Sequence, residues 1–378
     1  MPGCSHAGNI VRMLRHGAAL VTVLLAAVCA WAPMRQDTVE RWYATGLYPT
    51  IQSHLTPLTN LMPFALLDLL LLATLVFVVV CVTRTVRAIR RQRSARPLAG
   101  LVWTLLATAS ALYLVFLVLW GFNYRRVPVA QHLELSSAAP SAQSVASLGA
   151  RAVAELNRLH ADAHRRGWNQ REWQDERLRD TFHATQRLLS NAPPAEVGRI
   201  KATLLGTYFR WSSVDGMINP FGLEVLANPD LLPWERPFVA AHEWSHLAGY
   251  ANEAEANFVG WLTCVRGSVP MQYSGWLFLY WQIAGQLTAD DHTGIAARLG
   301  DGPRADLQAI VDRLRRGQFP FLRNVSWRVY DRYLKANRVD EGVRSYDEVL
   351  TLILRTRFDD GWTPRTRSSG RGTRPVPP

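Results

Sequence analysis

The chain has 378 residues, 48% of them hydrophobic, and 42 Lys and Arg against 30 Asp and Glu give it a formal net charge of +12. That length holds one substantial domain plus membrane segments. The excess charge is arginine clustered beside apolar runs and in the tail, without any RNA- or DNA-binding motif, so it points to membrane topology and away from nucleic acid.

Residues 1–17 are polar and carry Arg12 and Arg15. Ala18 to Met34 is apolar. Its Ala30-Trp-Ala32 has the form of a signal-peptidase site, but Pro33 follows at once, so the segment reads as an uncleaved anchor. Residues 35–60, with Trp42, Tyr43, Tyr48 and several prolines, read as an interfacial loop. Leu61 to Val82 is a second span with one acid, Asp68, near enough to its start to sit at the interface. Arg84, Arg87, Arg90, Arg91, Arg93 and Arg96 crowd the loop 84–97, and Leu98 to Trp120 is the third span. The positive-inside rule puts that loop in the cytoplasm, with residues 1–17. The three-span anchor, 18–124, then leaves the rest of the chain outside the cell membrane.

Residues 125–148, rich in Ser, Ala and Pro, read as a linker to a domain at 149–358, and 359–378 as a disordered Arg/Pro/Gly/Ser tail. Helical runs are expected near 143–166 and 170–190, with Pro193-Pro194 as a break and another helix from Ala195. Between Tyr208 and Asn228 turn formers flank β-prone runs. Leu223 to Ala227 is either the edge strand that aligns a substrate backbone or a hairpin that packs the neighbouring helix. Phe258 to Leu287 is aromatic, but Arg266, Gly267 and Pro270 interrupt it, so it reads as buried helices. A charged helix at 301–316 and a helix–loop–helix from Val325 to Arg355, looping at Asp340-Glu-Gly342, complete the domain. The expected fold is mainly α: three N-terminal transmembrane helices plus an extracytoplasmic zincin-like helical domain with a small β element.

The chemistry concentrates between Ala240 and Gly260, where His242, Glu243 and His246 have the spacing H-E-x-x-H. Two imidazoles one helical turn apart face one metal ion from the same side, and the intervening carboxylate reaches the ion's open position. Pro237 suits the start of this helix and Gly249 a left-handed end. A surface helix without metal would show the same letters. The four cysteines, Cys4, Cys29, Cys81 and Cys264, put only one in the folded domain, so neither an intradomain disulfide nor a cysteine zinc site is expected.

The third ligand is either Glu253 or Glu255. On a helix starting at Glu253, that residue shares a face with Asn257 and Glu255 points roughly opposite. Asn252 stands where metzincins carry a third histidine, and a neutral amide is a poor zinc ligand. Glu253-Ala-Glu-Ala-Asn257 resembles the E-x-x-A-D segment of membrane-anchored gluzincin peptidases, which implies Glu253 as ligand with Asn257 behind it; Asn replaces the family's Asp.

Asn219-Pro-Phe-Gly-x-Glu224, His242-Glu-Trp-Ser-His246-Leu-Ala-Gly249, Glu253-Ala-Glu-Ala-Asn257-Phe258, and Tyr330-Asp-x-Tyr-Leu-Lys335 with Ser345-Tyr346 follow a multi-span N-terminus. Together they resemble a bacterial membrane family, domain of unknown function 3810, over most of the chain. The resemblance supplies no substrate. The motif is similar to that of zinc metallopeptidases, which implies Zn²⁺ on His242, His246 and Glu253, a water at the fourth position, and Glu243 as the base in hydrolysis of a peptide or protein. Tyr333, Tyr346 and His292 are candidate oxyanion donors. The expected partner besides substrate is the lipid bilayer. The alternatives are a membrane-anchored scaffold or sensor with structural zinc, and a zinc hydrolase of cell-envelope substrates.

Overall fold

Long apolar runs favour helices, and here they form them from the N-terminus onward. The computed structural model describes residues 3–168, 176–317, 319–336 and 348–367 and is mainly helical. Helix α1 (Gly3–Trp31) packs along α5. The chain then bends by 120° and continues as α2 (Gln36–Val39), a π-helical stretch (Glu40–Leu47) and α3 (Tyr48–Asn60). Of residues 35–60, where a loop is expected, 36–60 are therefore helical. Val39, Tyr43 and Tyr48 are buried in the main core.

Helices α4 (Leu66–Gln92) and α5 (Arg96–Leu119) are each long and apolar enough to cross a membrane, and the bent N-terminal pair would be a third span. The arginine-rich loop is shorter than expected. Arg84, Arg87, Arg90 and Arg91 lie on the extended end of α4, and residues 93–95 alone make the turn, through a left-handed Arg93 at φ 49°.

Helix α4 begins under the control of the folded body. Glu224 accepts the N–H groups of Leu66 and Leu67 at 3.1 and 2.8 Å, which satisfies two orphan donors and sets a carboxylate at the positive end of the helix. The same carboxylate, fully buried, accepts from Lys201 Nζ at 2.7 Å and Asn219 Nδ2 at 2.9 Å. Asp68, expected at the interface, accepts from the Thr203 hydroxyl at 2.6 Å and the Leu204 N–H at 3.0 Å.

In the body, α6 (Ala142–Arg166) starts at a capping box of Ser141 and Ser144. It is followed by α7 (Glu176–Leu189); the expected start of that helix near 170 lies outside the described residues. No helix begins at Ala195. Gln186 and Gln52 accept the N–H groups of Ala195 and Glu196, so side-chain amides replace helical partners. Strand β1 (Ile200–Lys201), helix α8 (Gly206–Ser212), and strands β2 (Gly216–Asn219) and β3 (Glu224–Ala227) follow. The sheet order is β1-β3-β2, parallel between β1 and β3 and antiparallel between β2 and β3. Glu224–Ala227 thus forms the central strand, in a hairpin with β2 at the edge, because the short β1 occupies its other side.

Helices α9 (Arg236–Leu247), α10 (Glu253–Val265) and α11 (Val269–Ala284) form the centre, and every residue of α10 is buried. Around them lie α12 (Ala289–Ala297), α13 (Asp301–Gly317), α14 (Pro320–Ala336) and α15 (Glu348–Arg355). The loop at 340–342 is outside the described residues. The supposed linker is woven into the body: Val129 and Leu133 are buried, and residues 133–135 bridge to Thr356 and Thr366. The start of the supposed tail is ordered too. Strands β4 (Phe358–Asp359) and β5 (Thr363–Pro364) pair, and Trp362 packs edge-on to Trp261 and Trp276 under Arg151. Apolar residues at alternating positions, Val127, Val129, Leu133 and Leu135, carry this first segment inward despite its Ser and Pro content. Residues 368–378 are outside the described residues.

Candidate metal centre

Helix α9 carries Pro237 in its first turn and ends at Gly249, whose φ is +86°. His242 and His246 project from the same face, their rings 4.7 Å apart and nearly perpendicular. Asn252 does not approach the pair. It caps α10, accepting from the N–H groups of Ala254 and Glu255, which sets Glu253 at the first helical position. Gly260 then lets α10 cross tightly over α9, since a Cβ there would lie 3.0 Å from the His242 nitrogen.

The crossing brings Glu253 Oε2 to 3.4 Å from His242 Nε2 and 3.5 Å from His246 Nε2. A charge-assisted hydrogen bond would be about 2.7–2.9 Å. Ligands around one tetrahedral zinc at 2.0–2.1 Å stand about 3.3 Å apart. Both contacts of Glu253 are therefore spaced as co-ligands are, and all three ligand atoms lie within 4.8 Å of one another. His246 Nδ1 pairs with the Tyr250 carbonyl at 2.8 Å, which turns Nε2 toward the group. Two nitrogens and a carboxylate oxygen suit zinc.

The electrostatics draw positive charge to the group. Burial pushes the His246 pKa down, but Glu253 outweighs it and holds the imidazole at about 9. Burial pushes the Glu253 carboxyl up, but the two imidazoles outweigh it and hold it well below the carboxylate range. Without a metal, the carboxylate therefore draws a proton onto its neighbour.

Glu243 is buried beside the pair, and burial pushes its carboxyl up to about 7 against the pull of both imidazoles. Its Oε2 has no hydrogen-bond partner among the described residues. Gly216 of β2 makes room for it: a Cβ there would stand 2.6 Å from Glu243 Oε1.

Glu255 is elsewhere. It accepts the N–H of Val129 at 2.7 Å, and burial pushes its carboxyl up to about 7 against that bond and Arg126. Asn257 is buried one turn beyond Glu253, and its Nδ2 makes no hydrogen bond among the described residues. His292 is exposed on α12 and outside the cluster. The side chain of Tyr333 and all of Tyr346 lie outside the described residues.

Sequence reasoning missed the residues that hold α9 from behind. Its last two carbonyls and that of the residue after it accept donors from the membrane anchor and the segment just after it: His246 from Trp120 Nε1 at 3.0 Å, Leu247 from the Tyr48 hydroxyl at 2.7 Å, and Ala248 from Arg126 at 3.4 Å. No spacing rule links residues 48, 120 and 126 to residue 246. The aromatic Trp120-Gly-Phe-Asn-Tyr124 reads equally well as an interfacial belt.

A second group, His160, His164 and Asp306, also has ligand atoms close together. There Asp306 Oδ2 already accepts from His164 at 2.8 Å and from the Tyr273 hydroxyl at 2.5 Å. That is a satisfied buried carboxylate, with the contacts of a hydrogen-bond network.

A family model described as "Protein of unknown function (DUF3810)" matches residues 43–354. No curated protein and no solved structure matches the chain.

Proposed function

The chain belongs to the DUF3810 family of proteins of unknown function, and we propose that it is a membrane-anchored zinc metallopeptidase acting outside the cytoplasm. The observation that carries this reading is the placement of Glu253 Oε2 at 3.4 and 3.5 Å from the two imidazole nitrogens, with the Glu243 carboxylate alongside.

His242, His246 and Glu253 would hold the ion. Bound zinc would lower the pKa of a coordinated water toward neutrality and polarise a substrate carbonyl. Glu243 takes the proton from the attacking water and returns it to the leaving amine. Its free Oε2 is the atom available for both transfers. Among the described residues β2 is an edge strand, and beside Gly216 an extended peptide would add to it and bring its carbonyl to the cluster.

The six arginines cluster where α4 meets α5, and both opposite helix ends join the body, at Asp68 and at Trp120. With the arginines in the cytoplasm, the body is extracytoplasmic.

A structural metal is the second reading, favoured by the burial of Glu243, His246 and Glu253. Glu243→Gln separates the two. The peptidase reading expects zinc at about one per chain and no cleavage in a peptide-library assay, against cleavage by the unaltered chain. Zinc without cleavage in both proteins favours the structural role.

A further inference from the structure

The most exposed apolar side chains of the body are not scattered. Eight large hydrophobic residues beyond residue 120 are exposed among the described residues, and seven of them fall within 204–211 and 319–329; the eighth is Trp281. Leu204 is 83% exposed, Phe321 68%, Phe319 53%, Trp211 46% and Tyr208 40%. The two segments adjoin. The Phe319 N–H donates to the Trp211 carbonyl at 3.2 Å, and the hydroxyls of Ser212 and Ser326 are 3.0 Å apart. Apolar side chains gathered on adjoining segments in this way are costly in water and mark a contact surface.

We propose that this α8–α14 surface is seated in the interfacial layer of the bilayer that α4 crosses. Leu204 is bonded through its N–H to Asp68 in the first turn of α4. Phe209 of α8 packs with Ala65 and Leu67, and Leu205 joins the same cluster beside Leu70. From Leu66 to Arg84, the first of the arginines, α4 rises about 27 Å, close to the roughly 30 Å of a hydrocarbon core. With Arg84 at one boundary, the other falls at Leu66, level with Leu204. Trp and Tyr are the side chains that prefer this layer, with the ring apolar and the tip wet. The surface therefore continues the lipid-facing surface of the span, and nothing in the placement depends on a metal.

The test uses the full chain in lipid nanodiscs with its four cysteines replaced. A nitroxide is attached at position 204 or 321, where high exposure means little packing is removed. The collision rate with oxygen is compared with that of a water-soluble nickel chelate. Leu72, exposed on α4, gives the lipid reference and Arg158 on α6 the aqueous one. The expected oxygen-to-nickel ratio at both positions is several-fold above that at Arg158 and below that at Leu72, which lies about 9 Å deeper along α4. A ratio like that of Arg158 overturns the proposal. So does exclusion of both probes, which would mean cover by protein. If the label at 204 disturbs the Asp68 contact, position 321 is read alone. Adding Trp211→Glu should then lower the ratio at 321, and no change counts against the proposal.

Discussion

The indole N–H of Trp120, one residue past the end of α5, donates to the main-chain carbonyl of His246 at 3.0 Å. The orphan carbonyls at the end of a helix need partners, and here Trp120, Tyr48 and Arg126 supply them to three successive residues. The anchor is thus part of the scaffold that holds the candidate ligand helix. Trp120→Phe keeps the ring and removes the donor. A stability loss of about 1 kcal/mol is expected, with weaker zinc retention under chelator challenge. A chain starting at residue 128 lacks all three donors and should lose zinc outright while the full chain keeps it. Zinc at about one per chain in that fragment would show the anchor to be dispensable.

Glu253 and Glu255 make opposite demands on their surroundings. Glu253→Ala removes a ligand and should abolish zinc binding. Glu255→Ala should leave zinc in place and instead lower the melting temperature. It strands the buried N–H of Val129, which costs about 1–3 kcal/mol. Metal analysis beside a thermal melt reads both effects, and zinc loss in Glu255→Ala alone would reassign the ligand.

Much of the centre was legible because it is local. His242 and His246 are one turn apart, and Pro237 and Gly249 mark the ends of their helix by backbone chemistry that acts over a few residues. The choice between Glu253 and Glu255 was not local. Asn252 fixes the start of α10, but it is the position of Val129, 126 residues earlier, that occupies Glu255. Between an edge strand and a hairpin packed on the helix, Leu223 to Ala227 was undecided for a similar reason, and the structure has the hairpin. Leu223 to Ala227 has the composition of a strand, but edge or centre depends on Ile200-Lys201, two residues with no pattern of their own. Residues 35–60 read as a loop because aromatics and prolines punctuate them. Burial of Tyr43 and Tyr48 against the body supplies the order that local propensity does not.

Gly216 tests the catalytic arrangement without touching a ligand. A methyl there would press on the Glu243 carboxylate from 2.6 Å and displace it. Misplacing a reacting group by about 1 Å costs on the order of a hundredfold in rate. Gly216→Ala should therefore retain zinc and lose about that much activity in the peptide-library assay. Retained activity would mean that Glu243 has room to move and does not act from its present position.

Glu224 joins the sheet to the first turn of α4, and its effect should depend on pH in a definite direction. Burial pushes its carboxyl up, but Lys201, Asn219 and the N–H groups of Leu66 and Leu67 outweigh it and hold it below the ordinary value. A group whose folded pKa is depressed stabilises the fold above its unfolded pKa, and the contribution fades as pH falls through the folded one. Glu224→Gln leaves the buried Lys201 ammonium without its anion, at a cost of about 3 kcal/mol near neutrality. Thermal melts of the two proteins should differ by a constant gap from about pH 5 to 8, and the gap should narrow below about pH 4.5, where the unfolded form of the unaltered chain begins to bind the proton that the folded form still excludes. A gap that persists undiminished well below that pH would mean that Glu224 acts by shape and hydrogen bonding alone, and that the charge of Lys201 is balanced by something else.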